Sequence, residues 1–424
     1  MSIKITRLPS GPVVVSHSMD HLKSVALGIW VDSGSRSESE AEHGIAHLLE
    51  HMAFKGTARR DAIAIAEQIE AVGGELNAAT SVDQTQYYAR VLADDVPLAV
   101  DILTDILRNS AMDPDELKRE QHVIVQEIGA ALDTPEDIAY DHFTAAAFPG
   151  QAIGRPILGT ADSVRSMTQQ SLFDYLERNY RGPSMVISAA GAIDHEALVG
   201  MVASGLAGVD SVPATKPAPA RYVGGDMREL RDQREAQIII GFAGRSITSP
   251  DYFGAQILAS TIGGGMSSRL FQEVREKRGL CYSIYAFHWA FADGGAFGIH
   301  AATGESDVQE LVPVILGEIE RAAGDLTEAE VDRSRAQARA GLLMALESPL
   351  ARAGQMARQI LIFDRLLPIE ELVERIDAVT LADVHRLADA IFTGSTPTLA
   401  AVGPVGTLID HMSVVERLGA PAAA

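Results

Sequence analysis

His47-Leu48-Leu49-Glu50-His51 sets two histidines four residues apart, with a glutamate directly before the second. On a helix, positions i and i+4 share one face, so both imidazoles can turn toward a single ion. Two such donors suit zinc, which in hydrolytic sites takes three protein ligands and leaves a fourth position for water. Glu50 lies three residues after His47, near the same face, and can reach that water without ligating the metal. The order His-x-x-Glu-His inverts the His-Glu-x-x-His signature of metallopeptidases. The bland alternative is a pair of solvated histidines on an amphipathic helix. The small and apolar flanks, Gly44-Ile45-Ala46 and Met52-Ala53-Phe54, argue against it, because a half-buried stripe of His and Glu needs partners to offset its desolvation.

A third ligand has its best candidates between Asp113 and Asp133. Asp113-Pro114 reads as a cap followed by proline in the first helical turn. In the helix that follows, Glu120 and Glu127 stand seven residues apart, two turns along one face. Val123, Ile124 and Ile128 put Glu127 near an apolar stripe, where an unpaired carboxylate is costly and a metal is a fitting partner. One glutamate can ligate while the other orients a ligand histidine from behind. Spacing alone does not choose between them.

These helices must be held by a larger framework. The chain has 424 residues, 47% of them apolar, enough for two or more domains. A stretch rich in proline and glycine, residues 213–225, reads as a linker between an N-terminal domain, 1–212, and a C-terminal domain, 226–424. The flanking halves echo one another. Val25-Ala26-Leu27-Gly28-Ile29-Trp30-Val31 is matched by Gln237-Ile238-Ile239-Ile240-Gly241-Phe242, and the helix opened by Asp113 is matched by one opened by Thr327, each offset by about 210 residues. Mixed strands and amphipathic helices in each half predict an α+β fold of two homologous α/β sandwiches, with mostly antiparallel sheets and helices on one face. Near the place that echoes the histidine motif, the second half reads Ala259-Ser260-Thr261-Ile262-Gly263-Gly264-Gly265, without His or Glu. The metal therefore belongs to the first half.

Composition narrows the partners. A net charge of −22 argues against nucleic acid and anionic membrane and is compatible with cationic substrates. The single cysteine, Cys281, allows no internal disulfide and fits a reducing compartment. The N-terminal residues lack the apolar core of a secretory signal, and no segment reaches the apolar length of a membrane span. The expected location is cytoplasmic.

The run His43-Gly44-Ile45-Ala46-His47-Leu48-Leu49-Glu50-His51-Met52-Ala53-Phe54-Lys55-Gly56-Thr57 closely resembles the zinc-site segment of pitrilysin-type (M16) peptidases. Gly73-Gly74-Glu75-Leu76-Asn77-Ala78, Ile157-Leu158-Gly159, Ser267-Ser268-Arg269-Leu270-Phe271 and Arg275 to Tyr282 resemble the subfamily of the mitochondrial processing peptidase and its bacterial relatives. The resemblance spans nearly the whole chain. It implies that the distal ligand is Glu127, 76 residues after His51, and that Glu120 supports a ligand. It further implies one Zn2+ per chain, Glu50 as general base, and Arg275 and Tyr282 reaching the substrate from the second half. Phe54 would line the pocket just past the scissile bond. An extended peptide would pair with Asn77, Ala78 and Ala79, which look like a sheet edge. Asp137 and Asp141 match positions that recognise a substrate arginine, with Asp137 shorter than the glutamate common there. His43 matches a position that does not ligate.

The resemblance thus implies a zinc endopeptidase acting on short or presequence-like, basic peptides inside a dimeric chamber. The partner would be a second copy of the chain, or a metal-less homologue in a heterodimer. Two rivals remain: a subunit dedicated to maturing one precursor peptide, and a non-catalytic scaffold like the core subunits of the respiratory bc1 complex. Such scaffolds commonly have degraded metal motifs, whereas the ligands, the base and the Arg/Tyr pair are all present here.

Overall fold

The computed structural model describes Ser2–Pro421. These residues form two compact units. The first contains the chain up to Gly129, Pro156–Pro217 and Leu343–Leu366; the second contains Ala130–Arg155, Ala218–Leu342 and the chain from Leu367. One boundary between the units falls at Pro217 and Ala218. Each unit, however, also takes a segment from the opposite half of the sequence.

The first unit is built on a six-stranded sheet. Its strands are β1 (Ile3–Arg7), β2 (Val13–Ser18), β3 (Ser24–Val31), β4 (Glu75–Thr80), β5 (Thr85–Leu92) and β6 (Met185–Gly191), in the order β1-β2-β6-β3-β5-β4. All neighbours are antiparallel except β2 and β6. The second unit has β7 (Gly225–Leu230), β8 (Glu235–Ala243), β9 (Ser283–Ala290), β10 (Gly295–Gly304) and β11 (Thr398–Gly403), in the order β7-β11-β8-β10-β9. Here the one parallel pair is β7 with β11. Set β1 aside and the same path is traced twice, as the sequence echo predicts.

In the first unit the main helical layer covers one face. Val25, Leu27, Ile29 and Val31 of β3 point into a large core with Ile102, Leu103 and Ile106 of the helix Val96–Arg108 and Leu198 and Val202 of the helix His195–Gly205. The other face is covered as well. Trp30 packs there, with Val13, Val15, Val186 and Ala190, against Ala353, Met356, Ala357 and Ile360 of the helix Pro349–Phe363. Burial on both faces explains why β3 reads as an unbroken apolar run rather than an alternation.

The second unit repeats the device. The helix Pro135–Ala147 lies on its sheet and sets the Phe143 ring over Gly241 of β8. A Cβ at Gly241 would fall 2.0 Å from that ring, so only glycine fits. The two covering helices occupy matching places in the duplicated sequence. Each begins with proline in its first turn after a cap residue, Thr134 or Ser348, where the preceding long helix stops. The helices thus gather on one face, and a single helix from the opposite half of the sequence closes the other.

Candidate metal centre

The helix Ile45–Ala53 buries Ile45, Ala46, Leu48, Leu49, Met52 and Ala53 in the first unit's core. What remains on its open side is His47, Glu50 and His51, the i, i+3, i+4 stripe expected from their spacing. Its start is fixed with care. Gly44 takes φ +94°, and a Cβ there would meet the Leu158 carbonyl at 2.7 Å. The buried Glu38 carboxylate accepts from the Gly44 and Ala46 amides, each at 2.9 Å, placing an anion at the positive end of the helix. His43 bonds the Pro156 carbonyl at 2.7 Å and takes no part in the cluster below, in keeping with a structural role.

The second helix, Pro114–Leu132, brings both candidate glutamates to this stripe. Glu127 Oε2 lies 3.7 Å from His47 Nε2 and 3.7 Å from His51 Nε2. Glu120 is behind: its Oε2 accepts from His51 Nδ1 at 3.0 Å. The two carboxylates therefore face opposite nitrogens of one imidazole. Ile124 is fully buried and Ile128 packs on the core, but Val123 is exposed, so the apolar stripe of this helix runs through Leu117, Glu120 and Ile124 instead.

His47, His51 and Glu127 each offer a donor atom within 4.8 Å of the others, and no other such cluster is found among the described residues. Three donors around a tetrahedral zinc stand about 3.3 Å apart, given bonds of ~2.0–2.1 Å, so separations of 3.7 Å need little closing. The protonation states agree. Burial, helped by the neighbouring His51, pushes the His47 pKa down to about 4, so the ring is neutral at neutral pH, as a ligand must be. Burial works to raise the Glu120 pKa, but its bonds to Lys55 and His51 outweigh that and hold it below the ordinary carboxylate range. Two buried polar atoms of the stripe, His47 Nδ1 and Glu50 Oε2, have no hydrogen-bond partner. A buried polar atom left without a partner is costly, and both of these stand on the short helix that carries the two histidines.

The remaining expected residues divide between the units. Phe54 ends the histidine helix and packs, half-buried, on the first core. Asn77, Ala78 and Ala79 lie on β4, the outermost strand, paired on one side with Tyr88, Tyr87 and Gln86 of β5. Thr80, on the same strand, donates to the Ala46 carbonyl at 3.4 Å, so this edge runs beside the histidine helix. Asp137 and Asp141 belong to the second unit, on its covering helix. Burial and then the charge of Asp137 push the Asp141 pKa up to about 6. Arg275 and Tyr282 are also in the second unit. The Arg275 guanidinium sits 4.6 Å from the Phe271 ring centre and 5.4 Å from that of Tyr282, and Tyr282 is 79% exposed. A wide helical turn, Phe271–Glu276, in which Lys277 N donates to Gln272 O five residues back at 3.0 Å, carries Arg275, while Tyr282 directly precedes β9. Cys281 is buried and its thiol pKa is pushed up to about 11, chiefly by burial.

Sequence reasoning passed over Glu38 and Lys55. Lys55 Nζ stands 2.6 Å from Glu120 Oε1. Lys55 lies two residues beyond the last helical residue, Ala53, so helical spacing from His51 does not place it.

Residues 13–161 match the family described as "Insulinase (Peptidase family M16)", and residues 166–338 match "Peptidase M16 inactive domain". A protein of Rickettsia bellii named "Uncharacterized zinc protease" is 35% identical over 404 residues, spanning 95% of this chain and 98% of its own length. The "Probable mitochondrial-processing peptidase subunit beta, mitochondrial" of Arabidopsis thaliana is 36% identical over 429 residues, spanning 98% of this chain and 81% of that protein. Among solved structures, a Pseudomonas fluorescens protein described as a peptidase M16 inactive domain superposes with a TM-score of 0.88 at 19% identity, covering 96% of this chain and 99% of that one. A chain of complex III from Candida albicans gives 0.87 at 23% identity, covering 98% and 100%.

Proposed function

This chain belongs to peptidase family M16, and from that premise we propose that it is a zinc endopeptidase whose metal is held by His47, His51 and Glu127. Bound zinc supplies Lewis acidity toward a peptide carbonyl and lowers the pKa of water. The chain's own residues do the rest. Glu120 fixes His51 with Nδ1 protonated, which leaves Nε2 free to ligate. Glu50, on the helix between the two histidines, takes the proton of the attacking water and passes it to the leaving amine. The open edge of β4 at Asn77, Ala78 and Ala79 pairs with an extended substrate, and Phe54 at the helix end shapes the pocket beyond the cut. Arg275 and Tyr282 are proposed to contact the substrate, Tyr282 by donating a hydrogen bond to the developing oxyanion. Asp137 and Asp141 are proposed to receive a basic side chain, so the preferred peptides are short or presequence-like and basic.

The working form proposed is a dimer, of two such chains or of this chain with a metal-less homologue, in the cytoplasm. Among the described residues no helix is long and apolar enough to cross a membrane. The observation that carries the reading is the three-donor cluster, with Glu50 on the same helix between its two histidines. Cleavage of a basic peptide library tests it: turnover that a chelator abolishes, zinc restores and Glu50→Gln lacks is expected. Chelator-resistant cleavage, or full activity in Glu50→Gln, would sink the mechanism. No cleavage by the wild-type protein with zinc bound would favour the scaffold reading.

A further inference from the structure

We propose that Lys55 is a positioning residue of the metal centre, the outer member of a chain Lys55–Glu120–His51 that fixes one ligand and balances its charge. The proposal rests on the reading of His51 as a ligand. Glu120 is 6% exposed and splits its carboxylate between two partners: Oε1 meets Lys55 Nζ at 2.6 Å, and Oε2 takes the His51 Nδ1 proton at 3.0 Å. A carboxylate this deep is costly unless it is paired. His51 cannot supply the pairing, since a ligand imidazole is neutral. Lys55 supplies the positive charge. With one oxygen clamped, the carboxylate cannot rotate away, and its second oxygen stays aimed at His51 Nδ1. The ring is then held in one tautomer, with Nε2 toward Glu127 at 3.7 Å.

Lys55 reaches this position through the backbone. It follows Phe54, the residue that ends the histidine helix, and its amide donates to the Met52 carbonyl at 3.1 Å. The lysine therefore leaves the helix end on the same segment as both ligand histidines. The segment is pinned just beyond. Thr57 donates to the buried Asp105 carboxylate at 2.8 Å, and Arg60 reaches the same carboxylate at 2.7 Å. Ligand, spacer and counter-charge thus come from one short stretch, and the Pro114–Leu132 helix adds the two carboxylates.

The test is zinc affinity, measured by competition with a chromophoric chelator on the full chain and so independent of turnover. Lys55→Met should weaken zinc binding by about ten- to a hundredfold, the range typical of outer partners of metal ligands. Lys55→Arg, which keeps the charge, should recover most of the loss. Because the lysine acts through Glu120, the double variant Lys55→Met with Glu120→Gln should bind zinc no more weakly than Glu120→Gln alone. It removes both charges together, so it also serves if Lys55→Met alone fails to fold. Wild-type affinity in Lys55→Met, no recovery by Lys55→Arg, or full additivity in the double variant overturns the proposal. A wild-type chain that binds no zinc overturns the metal centre itself, a distinguishable failure.

Discussion

The two units share one strand order, yet the helix beside the sheet is treated in opposite ways. In the second unit, Tyr252–Gly263 buries Ala255, Ile257, Leu258, Ala259 and Ile262 and is a plain core helix. In the first, Ile45–Ala53 gives up one face to His47, Glu50 and His51, and two polar atoms of that face are buried without partners. Among the described residues the second unit keeps this architecture with no cluster of three metal donors. The first shows what the proposed chemistry would add: desolvated histidines, a glutamate with one buried oxygen unpartnered, and the charges of Glu38, Lys55 and Glu120 around them. On this one helix the local rules of burial are broken in the first copy and kept in the second, as expected where function rather than stability chose the residues.

The contrast can be broken most directly at the base. Glu50→Gln should lower kcat by about a hundred- to ten-thousandfold while zinc content stays at one per chain, as read by steady-state kinetics and elemental analysis. Next comes the ligand set. His47→Ala should weaken zinc binding by more than the roughly hundredfold that outer partners command, whereas His300→Ala in the second unit should leave it unchanged. A second-unit histidine that altered zinc stoichiometry would end the view that one copy is metal-free.

Acid sharpens the comparison, because each unit buries one histidine whose pKa is pushed to about 4: His47 in the first, His288 in the second. Both folded values lie below the ordinary 6.5, so the unfolded chain binds more protons between these limits. The stability each neutral ring contributes is complete above pH 6.5 and is lost as pH falls toward 4, by about 3 kcal/mol per ring. Urea unfolding of the metal-free protein across that window should show the loss, and zinc should oppose the part due to His47 because protons compete for the ligand. Equal protection by zinc of a His288→Asn variant and the wild type would agree with this division; protection that vanished in the variant would not. The smallest effect is expected from Glu50→Leu, which gives the first unit's helix the apolar character of the second. Removing the unpaired carboxylate should stabilise the metal-free chain by about 1–2 kcal/mol in denaturant titration. A destabilised variant would mean that Glu50 is better satisfied than its free oxygen indicates.

Much of this was legible in the sequence because the signals are local. The His47–Glu50–His51 stripe follows from helical spacing, and the duplicated sheet follows from the repeated landmarks. The choice between Glu120 and Glu127 was not legible from spacing, since both lie on one face; it turns on which nitrogen of His51 each one meets. Val123 was read into the apolar stripe but is exposed, because the helix is rotated so that Glu120, satisfied by Lys55 and His51, takes a buried place. The crossing of Pro135–Ala147 and Pro349–Phe363 was hidden for a different reason. It depends on which sheet a helix meets far along the chain, and its trace in the sequence is the double-faced burial of β3.

That crossing bears on how the protein is made. β6 completes the first sheet at Gly191, but Trp30 and its neighbours lack their cover until the helix ending at Phe363 has emerged. The helix carrying Phe143 is synthesised early and waits for a sheet that is finished only with β11 at Gly403. Neither unit can close before nearly the whole chain has left the ribosome, so apolar faces stay open to chaperones, or to aggregation, throughout synthesis. A single nick near residues 213–225 would not release two self-sufficient halves, since each piece keeps a helix that the other needs.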